Sequence, residues 1–174
     1  MDFLISFFLA ITAIIGFSEF LVAEKSDIYN FSEYTSKVND DALKVVRKYY
    51  KVVDDAPYCK MANIWGFVRP DGYNSVYSIC TQSIVNWSNR YRVKPAPYIN
   101  ETVTHENVHA IQFCNPPEFL LGYDVTDEAI KRVHQAEVYK GRPIESLKLE
   151  YEAFTLEDYP KTVKEEADIH SNCS

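Results

Sequence analysis

Residues 105–109 read His-Glu-Asn-Val-His, the pattern H-E-x-x-H. On an α-helix, positions four apart share a face one turn apart, so His105 and His109 can aim both imidazoles at one ion. Zinc accepts imidazole nitrogen readily, and a catalytic zinc site uses three protein ligands and keeps one position for water. Glu106 is then placed to take a proton from that water as general base. The pattern makes demands on the fold. It needs a helix held firmly on one side and a second element that returns with a third ligand.

The flanking residues agree with a helix. Val103, Val108, Ile111 and Phe113 are apolar, Asn100 or Thr102 can cap the start, and Asn115-Pro116-Pro117 ends it, which predicts a helix over 101–114. Upstream, 62–87 is rich in Ile, Val, Tyr and Trp and is broken by Arg69-Pro70-Asp71-Gly72. That is turn chemistry between strands and predicts a hairpin with strands near 62–68 and 75–81, with further strand at 82–88. Leu43, Val46, Tyr49 or Tyr50, and Val53 have helical spacing, predicting an amphipathic helix over 40–53 capped by Asp40 or Asp41. Residues 92–100 read as a proline-containing connection. Downstream, Thr126 and Gly141 bracket one helix, and Pro143 and Pro160 bracket another of about four turns. The charged tail beyond reads as held down by Cys173.

The third ligand is expected from 143–160. Glu150 and Glu152 are the candidates, and their spacing lets only one face the ion. Leu147, Tyr151 and Phe154 mark a buried stripe, and Glu150 lies beside it, which favours Glu150. At this point the chain resembles the gluzincin-type zinc metallopeptidases. In several of their families H-E-x-x-H is followed by a helix bearing E-x-x-A-D, and Glu150-Tyr151-Glu152-Ala153 matches its first four positions. The resemblance covers residues 101–157. It implies an α+β, zincin-like architecture: a small antiparallel sheet or hairpin packed on the active-site helix, with further helices C-terminal. It also implies Zn2+ held by His105, His109 and Glu150, with Glu106 catalytic. Phe154 stands where those families place an Asp that supports a zinc-binding histidine, and Asp158, one turn on, is the acid available to take over. His134, Tyr123 and Tyr139 are weaker candidates, the tyrosines as hydrogen-bond donors to an oxyanion, and His170 reads as solvated.

The remaining features set the context. An apolar run from Phe3 to Phe17 is shorter than the roughly 20 residues of a membrane span and matches an export signal over residues 1–23. Gly16-Phe17-Ser18 and Ala23 offer cleavage positions, although Asp2 stands where a basic residue is usual. Residues 24–174 then form one domain, secreted or periplasmic. It keeps four cysteines, Cys59, Cys80, Cys114 and Cys173, with no C-x-x-C. In an oxidising compartment they give two disulfides. Three pairings are open; the hairpin favours Cys59–Cys80 and leaves Cys114–Cys173. The aromatic content, 13 Tyr, 10 Phe and 2 Trp, is enough to build a core. A net charge of −7 without a Lys/Arg cluster argues against nucleic acid as a partner. Four N-x-S/T triplets, at Asn30, Asn86, Asn100 and Asn172, matter only in a host that glycosylates exported proteins.

These features lead to an exported, monomeric zinc metallopeptidase acting on a peptide or protein substrate, touching a membrane only through an uncleaved N-terminal segment. The alternative is a secreted, disulfide-stabilised binding protein without catalysis, or a zincin-like pseudoenzyme.

Overall fold

The computed structural model describes residues 30–60, 64–71, 75–114 and 120–170. The expected signal (1–23), the Pro116-Pro117 stop, Asn172 and Cys173 lie outside them.

The first regular helix, α1 (Lys37–Val46), starts on Ser36, whose hydroxyl accepts from the Asn39 N–H, rather than on Asp40 or Asp41. It buries Ala42, Leu43 and Val46 and ends well short of the expected 53. The chain then extends into β1 (Lys51–Asp54), which pairs in parallel with β3 (Val76–Ile79). The helical spacing of Tyr49, Tyr50 and Val53 misled because β-branched Val52 and Val53 suit a strand, and a ladder partner was available. β2 (Gly66–Arg69) pairs antiparallel with β3, so the expected hairpin is present, inside a three-stranded sheet of order β1-β3-β2. Every residue of the central β3 is buried.

No strand follows. Residues 81–91 form α2 (Thr81–Tyr91), with Ile84 and Val85 buried. The Asp55 carboxylate accepts from the Gln82 N–H at 2.9 Å, giving the helix start the anion it favours. Burial pushes the Asp55 carboxyl up to about 6. The 3-10 turn after β1 (Pro57–Lys60) and the start of α2 are joined by the Cys59–Cys80 disulfide, with a Cα–Cα distance of 5.4 Å. Cys114 is not free either; the residue expected to pair with it, Cys173, lies outside the described segments.

The central helix, α3 (Pro95–Gln112), begins earlier than expected. Pro95 and Pro97 sit in the first turn, where backbone N–H groups have no intrahelical acceptor and proline costs nothing. Asn100 does not cap it. Its amide donates to Tyr34 O (2.7 Å) and Ala96 O (2.8 Å), and its Oδ1 accepts from the Ser36 N–H (2.6 Å). One side of α3 packs on the sheet, α1 and α2, with Val103 and Ala110 joining Leu43, Tyr77, Ile79 and Ile84. The other side, through Val108 and Ile111, meets Ala153, Leu156, Val163 and Ala167. Nearly all of 102–112 is buried as a result, including its polar residues.

Three helices complete the fold. α4 (Asp127–Gln135) is capped by Thr126, as expected, and a short 3-10 turn (Glu137–Tyr139) follows it. α5 (Ile144–Leu156) ends four residues before Pro160. Pro160 does not merely stop a helix; it opens α6 (Pro160–Ile169), whose Val163 and Ala167 are buried. The fold class is α+β.

Candidate metal centre

α3 and α5 face each other, and their polar side chains meet between them. His105 Nε2 and His109 Nε2 stand 3.1 Å apart. Glu150 Oε2, from α5, lies 3.4 Å from the first and 3.3 Å from the second. Both histidines are buried, and Glu150 is slightly less so.

The outer nitrogens of the two rings decide what the inner ones present. His105 Nδ1 lies 3.3 Å from Glu157 Oε2, an oxygen that can only accept. His109 Nδ1 lies 2.8 Å from Gln112 Oε1. The orientation of the Gln112 amide follows from its nitrogen, which donates to Glu152 Oε2 at 2.9 Å and to Leu149 O at 3.3 Å. Each neutral ring therefore carries its hydrogen on Nδ1 and turns a bare Nε2 lone pair inward. Two lone pairs and a carboxylate oxygen converge on one point. Three acceptors this close repel unless a proton or a cation sits among them. Burial opposes charge on His105, but hydrogen bonds to Glu150 and Glu157 prevail and raise its pKa to about 10. Burial would also raise Glu150, yet the two histidines hold it well below the carboxylate range.

A divalent cation fits the spacing. Ligands about 2.0–2.1 Å from a tetrahedral centre stand about 3.3–3.4 Å from one another, and the three atoms are separated by 3.1, 3.3 and 3.4 Å. The donor set, two imidazole nitrogens and one carboxylate oxygen, is one zinc accepts. The third observation is Glu106. Its carboxylate is buried and Oε2 has no hydrogen-bond partner among the described residues. Burial raises its pKa, partly offset by the two histidines. Gly66 of β2 lies flat against it: a Cβ there would meet Glu106 Cγ at 2.7 Å and Oε1 at 2.8 Å.

Residues 31–172 match the family described as "Domain of unknown function (DUF8637)". The chain belongs to this family. No curated protein and no solved structure matches it.

In this DUF8637 domain the structure thus brings together His105, His109 and Glu150, with Glu106 in the same helix. Glu152 is deeper than Glu150, contrary to its expected distance from the buried stripe. It accepts from the backbone N–H groups of Leu121 (2.8 Å), Gly122 (2.7 Å) and Tyr123 (3.1 Å), and so shapes the 121–123 segment. The acid that supports His105 is Glu157, not the exposed Asp158. Arg132 ion-pairs with Glu157 and reaches Glu101 Oε1 at 3.1 Å, holding that carboxylate in place. Phe154, in the position expected for Asp, packs its ring edge on His105 with centroids 4.5 Å apart. Of the weaker candidates, Tyr123 donates to Glu166 Oε1 at 2.6 Å and belongs to the contact with α6. His134 pairs with the Tyr151 hydroxyl at 3.1 Å, and His170 with Glu166 at 3.5 Å. Only Tyr139 is near the centre: burial and the adjacent Glu150 carboxylate hold its hydroxyl well above the usual tyrosine range.

Sequence reasoning missed Glu157, Gln112 and Gly66. Gln112 was open to discovery, since it follows His109 by three positions and shares its helix face. The other two depend on tertiary contacts. Because outer partners fix ring orientation, Glu157→Gln is expected to weaken zinc binding about 10–100-fold, measured by competition with a chromogenic chelator.

Proposed function

We propose that this domain is a zinc-dependent peptidase of zincin-like design, exported to an oxidising compartment. The convergence of His105 Nε2, His109 Nε2 and Glu150 Oε2, at tetrahedral-edge spacings, carries the reading. The unpartnered Glu106 oxygen beside it supports catalysis rather than a purely structural metal. The Cys59–Cys80 disulfide supports export, because such bonds persist outside reducing compartments.

His105, His109 and Glu150 would hold the ion. When bound, zinc supplies a Lewis acid that polarises the scissile carbonyl and lowers the pKa of an attacking water. The protein does the rest. Glu106 accepts a proton from the water as its oxygen adds to the carbonyl carbon. It then delivers that proton to the amide nitrogen as the C–N bond breaks, leaving a carboxylate and an amine. Burial lifts the Glu106 pKa toward the range in which a carboxyl can both take and give a proton. Gly66 leaves room for that carboxylate. Tyr139, kept protonated, is a hydrogen-bond donor beside Glu150.

Metal content tests the reading. Protein purified without chelator should hold about one zinc per chain by elemental analysis, and His109→Ala and Glu150→Ala should hold almost none. Wild-type protein that takes up no zinc on titration would end the proposal and leave the non-catalytic binding protein.

A further inference from the structure

Glu150 is the least buried of the three converging side chains, 13% exposed against 9% for each histidine, and the groups beside it line that side of the cluster. Those groups come from the turn before α5. Gly141, at φ +76°, adopts the left-handed conformation that lets the chain turn there. The turn sets the Arg142 guanidinium 3.6 Å from Glu150 Oε1 and 5.2 Å from the Tyr139 ring centroid, with the arginine side chain 43% exposed.

Arg132 offers a comparison. It lies 4.5 Å over the Phe154 ring, and each of its terminal nitrogens is already engaged by a carboxylate, one by Glu157 and the other by Glu101. Arg142 has five N–H donors in a fixed fork, and its contact with Glu150 is longer than a good hydrogen bond. The carboxylate it faces directs its other oxygen, Oε2, at the two imidazoles. A cation among those three atoms takes up the charge of Glu150 and leaves Arg142 electrostatically unbalanced. The planar fork suits an oxyanion bound through two oxygens, and on a peptide substrate that group is a carboxylate.

Building on the zinc-peptidase reading, we propose that Arg142 anchors a carboxylate of the substrate beside the scissile bond. The preferred substrates are peptides with negative charge close to that bond, supplied by the free C-terminus or by an Asp or Glu side chain.

Three peptides test this: one with an uncharged last residue and a free C-terminal carboxylate, its C-terminal amide, and the same amide with the last residue replaced by Glu. kcat/KM is measured on the zinc-loaded wild type, and Kd on zinc-loaded Glu106→Gln, where binding needs no turnover. The free acid should exceed the amide by about 10–100-fold in both. The Glu-bearing amide matches the acid if a side chain serves, and the plain amide if only a C-terminus does. Arg142→Gln should bring the acid-to-amide ratio to about one, with Arg142→Lys between. If Arg142 merely steadied Glu150, its loss would weaken zinc and slow both peptides alike, leaving the ratio intact; that result overturns the proposal, as does equal binding of acid and amide, or binding of neither. Hydrolysis without preference removes the anchor and leaves the peptidase. Arg142-dependent acid binding without any hydrolysis keeps the anchor and removes the peptidase.

Discussion

Glu106→Gln is expected to slow peptide hydrolysis by at least about a hundredfold to ten-thousandfold while zinc stays near one per chain. Gln keeps the shape and the hydrogen-bonding reach of Glu but cannot take a proton from water. Glu106 is not among the three converging atoms, so the metal has no reason to leave. A second variant approaches the same carboxylate from outside. Gly66→Ala introduces a Cβ that would stand 2.7 Å from Glu106 Cγ, and either β2 or the carboxylate must shift. A displacement near 1 Å at a reacting group costs about a hundredfold. kcat should therefore fall in Gly66→Ala with zinc retained. Activity that survives Glu106→Gln would remove this carboxylate from the chemistry. Loss of zinc in the same variant would make Glu106 a part of the metal centre instead.

Glu152→Ala should be strongly destabilising, by about 2–3 kcal/mol in denaturant unfolding of the metal-free protein. The carboxylate is buried and satisfies three successive backbone N–H groups at 121–123, together with the Gln112 side chain. Alanine removes this shared acceptor and leaves a void in a buried site: the part-exposed 121–123 donors must turn to water, and the buried Gln112 amide keeps only Leu149 O, where an unsatisfied buried donor costs about 1–3 kcal/mol. Gln112 would also lose one of the contacts that orient it toward His109. Glu150→Ala makes the complementary case. It should abolish zinc binding, but in the metal-free protein it removes only a partner of His105, which can release its proton in response, so no buried charge is left unpaired and the loss of stability is smaller. If the two variants exchanged phenotypes, with Glu152→Ala losing metal in a stable fold, the ligand assignment would be reversed.

These two glutamates show where a sequence pattern stops being informative. Helical geometry says that positions 150 and 152 point different ways, and it places 150 within reach of a helix one return away. It does not say that the 121–123 segment passes beside 152 with three N–H groups to satisfy. The stripe of Leu147, Tyr151 and Phe154 suggested one buried face, but α5 is buried on more than that. Leu149, Glu152, Ala153 and Thr155 are also inside, because α3, α4 and α6 surround it. The same limitation explains the missed strand and helix. Residues 51–54 and 81–91 each carry apolar residues compatible with either structure. The ladder to β3 decided the first, and the Asp55 carboxylate with the packing of Ile84 and Val85 settled the second.

The amino-acid sequence alone determined what is local. It set two histidines one turn apart beside a carboxylate, a hairpin closed by turn residues, a Thr126 cap, and prolines at helix boundaries, because each depends on contacts within a few positions. Tertiary structure decided which glutamate meets the imidazoles, which one holds the backbone, and which acid steadies His105. It also set Gly66 against Glu106 and Arg142 beside Glu150. Those outcomes rest on distances between segments far apart in the chain, where a side chain's role is fixed by what packs against it.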